Sequence, residues 1–294
     1  MILGYNTNGL AHHDLVAAID LLASIGYRSA AIAIDHAALN PYAPGFERQL
    51  AQVQRALRNH GLRSVIETGA RFLLDPRQKH EPTLVSADSQ GRARRVEFLK
   101  HAIDIAAVLQ SDCVSLWSGA PYDDEPPEEH WERLLDGLIQ VLSHAADRSV
   151  CVGFEPEPGM FIDSMARDRE LIGRLEGAGV PLDRFRLTLD VGHLHCQDEL
   201  PIADEIHAWA ASVVNVHLED MRRGVHEHLM FGEGEIDFSP VIAALEDIGY
   251  TGPVHVELSR HSHVGPTAAR QAFEFLTPLI STSNTLSGRT TAHA

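Results

Sequence analysis

The sequence predicts an α/β protein built as one closed (β/α)8 barrel, the TIM-barrel architecture. Short β-branched and apolar runs alternate with longer stretches of helical period, which gives eight strand–helix units. The units recur at a pitch of roughly 30 to 40 residues in a chain of 294 residues, within the usual size of such a barrel. An open doubly wound sheet is the alternative, but no Gly-x-Gly-x-x-Gly follows any strand.

The first four strand–helix units are predicted from the periodicity of their apolar residues and from the residues that end helices. Their predicted strands are Ile2–Tyr5, Ala30–Ile34, Arg63–Glu67 and Cys113–Trp117, and their predicted helices are residues 13–25, 46–59, 92–109 and 130–146. Gly26 and Gly61 are expected to end the first two helices. Residues 68–91 show neither the helical nor the strand periodicity of apolar residues. A connection that long in a compact domain is usually functional or disordered.

The last four predicted strands each end in an ionisable side chain. The strands are Val150–Glu155, Phe185–Asp190, Val213–His217 and Val254–Glu257, and the helices are residues 163–176, 202–211, 238–248 and 267–276, with Pro278 as a stop. Residues 218–237 are predicted to form a polar loop. Since active sites of barrels lie at the carboxyl ends of the strands, these four side chains are expected to converge there. Three carboxylates and one imidazole would repel unless a cation joined them, and the set suits a divalent ion.

No linker marks a second domain. We expect a single barrel domain over residues 1–280 and a flexible C-terminal tail over residues 281–294, which are rich in Ser and Thr. The N-terminus lacks signal-peptide features, and no apolar run approaches the roughly 18 residues that a membrane span requires. These observations predict a soluble, cytoplasmic protein with no membrane partner.

Charge and cysteine content narrow the class of partner. The chain has 24 Lys and Arg against 41 Asp and Glu, a formal net charge of −17. Such a surface repels phosphate backbones, so we expect no nucleic-acid partner. Three cysteines without C-x-x-C spacing do not suggest a disulfide framework, and Cys113 and Cys151 are expected to be reduced core thiols.

The strand endings, together with Asp190-Val191-Gly192-His193 and the segment from Gly232 to Asp237, resemble the xylose-isomerase-like barrel superfamily. Its members include sugar and sugar-phosphate isomerases and epimerases, inosose dehydratases and apurinic endonucleases. The resemblance covers nearly the whole chain in element order and is specific in residues 150–260.

Similarity to the ketose 3-epimerase branch of that superfamily implies particular roles. The ligands of one divalent ion (Mn²⁺, Mg²⁺, Co²⁺ or Zn²⁺) would be Glu155, Asp190, His217 and Glu257. The two glutamates would also form the catalytic acid/base pair. His193 and Arg223 match substrate-contacting residues, although His193 would equally cap a turn and Arg223 would equally be an exposed loop charge.

Further residues are candidate substrate contacts on weaker grounds. Glu157 shares a strand face with Glu155 and is expected at the rim, and Trp117 either shapes the pocket or simply packs. His226-x-His228 stands where the endonuclease branch has Asp-x-His, which leaves a second metal ion open beside a substrate-facing or structural His228. Because the earlier strand endings supply that branch's other histidines only in part, DNA cleavage is disfavoured.

The predicted chemistry is proton abstraction next to a carbonyl. A metal ion can take the carbonyl and hydroxyl oxygens of a hydroxy-ketone and lower the cost of the enediolate, while two carboxylates exchange protons. The sequence therefore predicts a divalent-metal-dependent sugar or cyclitol isomerase or epimerase of carbohydrate metabolism with a small-molecule substrate. The alternatives are a metal-dependent lyase, dehydratase or hydrolase on a keto-sugar or glycoside-like substrate, and a barrel used only for binding. A homodimer is left open.

Overall fold

The computed structural model describes residues 1–287 as a closed barrel of eight parallel strands, which confirms the predicted (β/α)8 architecture. The barrel strands are β1 Ile2–Asn6, β2 Ser29–Ala33, β3 Arg63–Glu67, β4 Val114–Leu116, β5 Val152–Phe154, β6 Phe185–Asp190, β7 Val213–Leu218 and β10 Pro253–Val256. Two further strands, β8 Asp220–Arg222 and β9 Val225–Leu229, form a separate antiparallel hairpin. Around the barrel each strand pairs with its neighbour in the order β1, β10, β7, β6, β5, β4, β3, β2.

The helices surround the barrel and begin and end at residues suited to those positions. They are α1 Leu15–Ile25, α2 Phe46–His60, α3 Ser89–Leu109, α4 Pro127–Arg148, α5 Met165–Gly177, α6 Val191–Cys196, α7 Ile202–Ala208, α8 Phe238–Asp247 and α9 Gly265–Ser287. Asp14 and Asp88 accept hydrogen bonds from the first free backbone N–H groups of α1 and α3. Gly26 and Gly61 end α1 and α2 with positive φ angles of 125° and 62°, as the sequence predicts.

Alternation along the strands separates two buried layers. Outward-facing side chains such as Val254 and Val256 pack against the helices in one large apolar core. The inside of the barrel holds a small cluster of Ala31, Val65 and Cys113, and polar side chains lie nearer the carboxyl ends of the strands. The barrel interior thus has a small apolar layer, with buried polar side chains on both sides of it: Ser29 nearer the amino ends of the strands, and a larger group at the end that carries the site.

Two expectations about the second half of the chain were wrong, and one helix was not predicted. That helix is α6, which begins directly after β6 because the Asp190 side chain caps it. The hairpin β8–β9 replaces a polar loop predicted at residues 218–237. Pro278 does not stop the last helix, because α9 packs against α1 and α8 and continues to Ser287. The tail predicted at residues 281–294 therefore begins inside α9, and residues 288–294 lie outside the described residues.

Arg95 fixes the long connection between β3 and α3. The guanidinium is buried and donates hydrogen bonds to three backbone carbonyls of that connection, those of Thr68 at 2.9 Å, Pro82 at 2.9 Å and His80 at 2.8 Å. It also lies 4.9 Å from the centre of the Trp117 ring. Burial lowers the pKa of Arg95 to about 10, so the group stays charged at neutral pH. One buried cation therefore orders the loop that roofs the barrel mouth.

Replacing Arg95 by Met should lower the free energy of unfolding by roughly 3 kcal/mol, because three buried carbonyls lose charged donors. Urea denaturation of the two proteins measures the difference. The matched control is Arg94→Met, since Arg94 is the exposed neighbour on the same helix. Equal midpoints for wild type and the Arg95 variant would show that the loop does not depend on this side chain.

Candidate active site

A cavity of about 710 Å³ opens at the carboxyl ends of the strands. Its walls come from the loops after β1, β2, β3, β4, β5 and β10 and from the hairpin β8–β9. The residues lining it include Asn8, Glu67, Arg71, Lys79, His80, Trp117, Glu155, Glu157, His217, His226, His228 and Glu257. The floor is acidic, whereas Arg71, Lys79 and Arg260 bring positive charge to the walls.

The four strand-end side chains converge at the floor of this cavity. One ligand atom from each lies within 4.8 Å of the others, in the set Glu155, Asp190, His217 and Glu257. Asp190 and His217 are direct partners in the β6–β7 register. Glu155 and Glu257 follow β5 and β10, which lie on either side of the β6–β7 pair in the barrel order. The geometric expectation drawn from the four strand endings is therefore met.

His217 stands at the centre of this cluster. Its Nδ1 atom lies 3.0 Å from Glu155 Oε1, 3.0 Å from Glu257 Oε2 and 3.7 Å from Asp190 Oδ2. Its other nitrogen, Nε2, faces away from these groups, 3.0 Å from Glu67 Oε1. Nδ1 is thus the nitrogen that faces the centre of the three carboxylates.

Burial and the charges of the neighbouring groups shift the pKa of every member of the cluster. Burial raises the pKa of Glu155 to about 8, although His217 partly offsets it. Burial also acts on Glu257, but the His217 charge outweighs it and the pKa falls to about 2. For His217, burial opposes charging, yet Glu155, Glu67 and Glu257 raise its pKa well above the usual value. The cluster therefore draws positive charge to its centre, where a cation would lie.

These residues fit a divalent cation. Asp190 is fully buried, and its Oδ2 atom has no hydrogen-bond partner among the described residues, which is costly for a carboxylate unless a cation is near. Two glutamates, one aspartate and one imidazole are a donor set for a hard to borderline ion. The four could hold one ion without help from another part of the chain.

Three histidines lie beside this cluster. His193 is buried, and its Nε2 is 3.1 Å from His226 Nε2, while His228 completes a group whose ligand atoms lie within 4.8 Å of one another. His193 Nδ1 faces both the Pro156 carbonyl at 3.2 Å and Glu155 Oε1 at 3.8 Å. Asp190 caps α6 through the His193 backbone N–H, so the imidazole of His193 is left to face the site.

The other proposed contacts divide into those near the cavity and one that is distant. Glu157 and Trp117 line the cavity, and Trp117 stacks edge-on against His80 at 5.4 Å. Arg223 is not brought to the site: its side chain is 61% exposed at the hairpin turn and lies 3.4 Å from Asp198. The hairpin directs residue 223 outward. The prediction of a loop over residues 218–237 gave no direction for this side chain.

The fold brings further residues to the cluster, and of these the sequence analysis missed Glu67 and Glu219. Glu67 ends β3 and contacts His217, and Asn8 Nδ2 donates to Glu257 Oε1 at 2.7 Å. Glu219 is completely buried, and burial together with Asp190 raises its pKa well above the usual value. The signal available for Glu67 was its position at a strand end, the same feature that identified the four ligands.

Asp220 explains the glycine-rich segment from Gly232 to Asp237. Its carboxylate accepts hydrogen bonds from the backbone N–H groups of Met221, Gly232, Gly234 and Ile236 at 2.8 to 3.1 Å. A Cβ atom at residue 234 would collide with this carboxylate, so glycine is required there. The segment is thus a scaffold that holds the hairpin beside the cavity.

In residues 1–287 we find no helix with both the length and the apolar character needed to cross a membrane.

Comparison with known proteins gives matches over most of the chain. Residues 19–279 match the profile of a family described as the xylose isomerase-like TIM barrel. The L-ribulose-5-phosphate 3-epimerase of Shigella flexneri serotype 5b is 28% identical over 206 residues, which are 70% of this chain and 70% of that protein.

Solved structures resemble the whole barrel. A D-tagatose 3-epimerase-like protein superposes with a TM-score of 0.79 at 18% identity, covering 98% of this chain and 100% of that one. The IOLI protein, whose crystal structure has a bound zinc atom, superposes with a TM-score of 0.76 at 18% identity, covering 96% and 99%. At these identities the likeness concerns the fold.

Proposed function

Because the chain belongs to the xylose isomerase-like TIM barrel family, we propose that it is a divalent-metal-dependent sugar epimerase. Its substrate would be a ketose or ketose phosphate, and it would invert the hydroxyl-bearing carbon next to the carbonyl, carbon 3. The observation that carries the proposal is the convergence of Glu155, Asp190, His217 and Glu257 to within 4.8 Å at the floor of the cavity. The relative named as an L-ribulose-5-phosphate 3-epimerase supports the choice of reaction.

The two glutamates are suited to exchange protons with opposite faces of a substrate. They follow strands on either side of the β6–β7 pair, so a substrate lying over that pair would have one carboxylate at each flank. Asn8 holds Glu257 Oε1 and leaves its Oε2 directed to the centre of the cluster. Removal of a proton by one carboxylate and its return by the other inverts the carbon.

One divalent ion would be held by the same four side chains. When bound, it would neutralise the charge that develops on the substrate oxygens as the proton leaves, which lowers the barrier to abstraction. His193 and Glu157 form a close group with Glu155, where they would donate to or accept from the sugar hydroxyls. Arg223 has no part in the proposed site. A cytoplasmic location and a homodimer stay predictions.

The test is NMR of candidate ketoses and ketose phosphates incubated in deuterated water with the metal-loaded protein. We expect deuterium at carbon 3 and the appearance of the 3-epimer at constant total sugar. Chelator-treated protein is the control, and it should give neither. Loss of mass as water, or cleavage of a glycoside without exchange, would contradict the proposal and favour a lyase or a hydrolase.

A further inference from the structure

From the proposed ligand His217, buried polar side chains form a continuous chain of hydrogen bonds through the barrel interior. Its members are Ser29, Glu67, Asn215, His217 and His255, and each is at most 8% exposed. Ser29 Oγ lies 2.9 Å from His255 Nε2, and His255 Nδ1 lies 2.8 Å from Asn215 Oδ1. Asn215 Nδ2 then donates to Glu67 Oε1 at 3.4 Å, and His217 Nε2 lies 3.0 Å from the same oxygen.

Asn215 Nδ2 also lies 3.1 Å from His217 Nε2, so the tautomer of His217 decides how this chain is read. A proton on Nε2 fits best, because an Nε2 lone pair would face the Glu67 carboxylate at 3.0 Å. Asn215 Oδ1 can only accept, so His255 carries its proton on Nδ1 and donates it to that oxygen, which leaves His255 Nε2 to accept from the Ser29 hydroxyl. The amide orientation that accepts from His255 turns Asn215 Nδ2 toward Glu67. Glu67 Oε1 therefore receives an N–H group from Asn215 and a second one from His217 Nε2.

The consequence falls on the tautomer of His217. With the Nε2 proton directed to Glu67, it is the Nδ1 proton that His217 would give up to a cation, and the Nδ1 lone pair would then face the point where Glu155, Glu257 and Asp190 meet. A carboxylate that accepts from the outer nitrogen of a ligating histidine fixes the ring and makes the other nitrogen more basic.

We propose that Glu67 is a positioning residue for the metal centre: it holds His217 in the Nε2–H tautomer and in the ring orientation that aims Nδ1 at the ion. The inference rests on the proposed metal-dependent function. It adds that Asn215, and through it His255 and Ser29, fix Glu67 from the closed end of the barrel.

The alternative is that Glu67, which also lines the cavity, contacts the sugar instead. The two roles differ in what they do to metal affinity. A positioning role weakens metal binding in the absence of any sugar, whereas a substrate contact raises KM and leaves metal affinity unchanged.

The test measures Zn²⁺ and Co²⁺ dissociation constants by chelator competition for wild type, Glu67→Gln and Glu67→Ala, without sugar. We expect Glu67→Ala to weaken binding by about ten- to hundredfold. Glu67→Gln should weaken it less, because the amide oxygen still accepts from Nε2–H. The absorption spectrum of the Co²⁺-loaded Glu67→Ala protein should also differ from that of wild type, since His217 is less well held.

The matched control is Asp35→Asn, because Asp35 lines the same cavity and the change removes the same charge. Its metal affinity should equal that of wild type. Affinities within twofold for wild type and both Glu67 variants would overturn the proposal, and so would a wild-type protein that binds neither ion. Weakened metal binding by a protein that epimerises no sugar would support the positioning role while refuting the proposed function. If Glu67→Ala fails to fold, Glu67→Gln and Glu67→Asp give the same comparison.

Discussion

Glu257→Gln is expected to lower the rate of proton exchange at carbon 3 by about a thousandfold or more. The Glu257 side chain is held by Asn8 at one oxygen, and the second oxygen lies 3.0 Å from His217 Nδ1, at the centre of the proposed site. Glutamine preserves the shape and the contact with Asn8, but it removes the basic lone pair and the charge. The effect should therefore be on the chemical step more than on folding.

Comparing Glu257→Gln with Glu155→Gln sharpens this prediction. Given a pair of 3-epimers, each variant should lose deuterium incorporation with the epimer whose proton faces the missing carboxylate, and the two variants should differ in which epimer that is. Bound metal is quantified in both variants, so that loss of the base is distinguished from loss of the ion. Glu233→Gln, an exposed carboxylate in the glycine-rich segment, is the control. Full exchange with both epimers in Glu257→Gln would refute the acid/base assignment.

Asp190→Asn should weaken metal binding by more than about a hundredfold, beyond the usual effect of losing an outer hydrogen-bond partner. Asp190 Oδ2 is buried without a hydrogen-bond partner among the described residues and points to the cluster. Asparagine retains the oxygen that caps α6, since Oδ1 accepts from the His193 backbone N–H at 2.8 Å. The substitution therefore removes charge from the cation site with little change in shape.

Elemental analysis after dialysis measures this effect, and wild type should retain one ion per chain. Asp88→Asn is the matched control, because it makes the same change at a helix-capping aspartate that does not line the cavity. Activity in the Asp190 variant should return only at high added metal. A dialysed Asp190→Asn protein that still holds a full equivalent of metal would contradict the assignment of this ligand.

Local signals in the sequence were enough for the architecture. The alternation of short apolar runs with helical periods predicted eight units, and Gly26 and Gly61 mark helix ends that the structure has at those residues. Predicted helix boundaries were wrong where tertiary packing overrode a local residue preference. Pro278 is a helix stop by local chemistry, yet α9 continues past it because its apolar face is held by α1 and α8.

The hairpin β8–β9 is the clearest case of an element that the local residue pattern did not predict. Residues 218–237 are mostly polar, because one face of the hairpin borders the cavity and its turn lies in solvent. Its shape depends on Asp220, which gathers backbone N–H groups from residues up to sixteen positions away. That arrangement also turns Arg223 away from the cavity, so its predicted role could not be judged from its distance to His217 in sequence.

The sequence by itself determined that four ionisable side chains end four successive strands, because strand period and strand ends are local properties of the chain. Only the tertiary structure decided what lies behind them: Glu67 comes from a strand 150 residues earlier than His217, and Asn215 and His255 meet it inside the barrel. Closure of the barrel makes strands that are distant in sequence face one another across a shared interior. The side-chain pairs formed there follow from the geometry of the closed barrel.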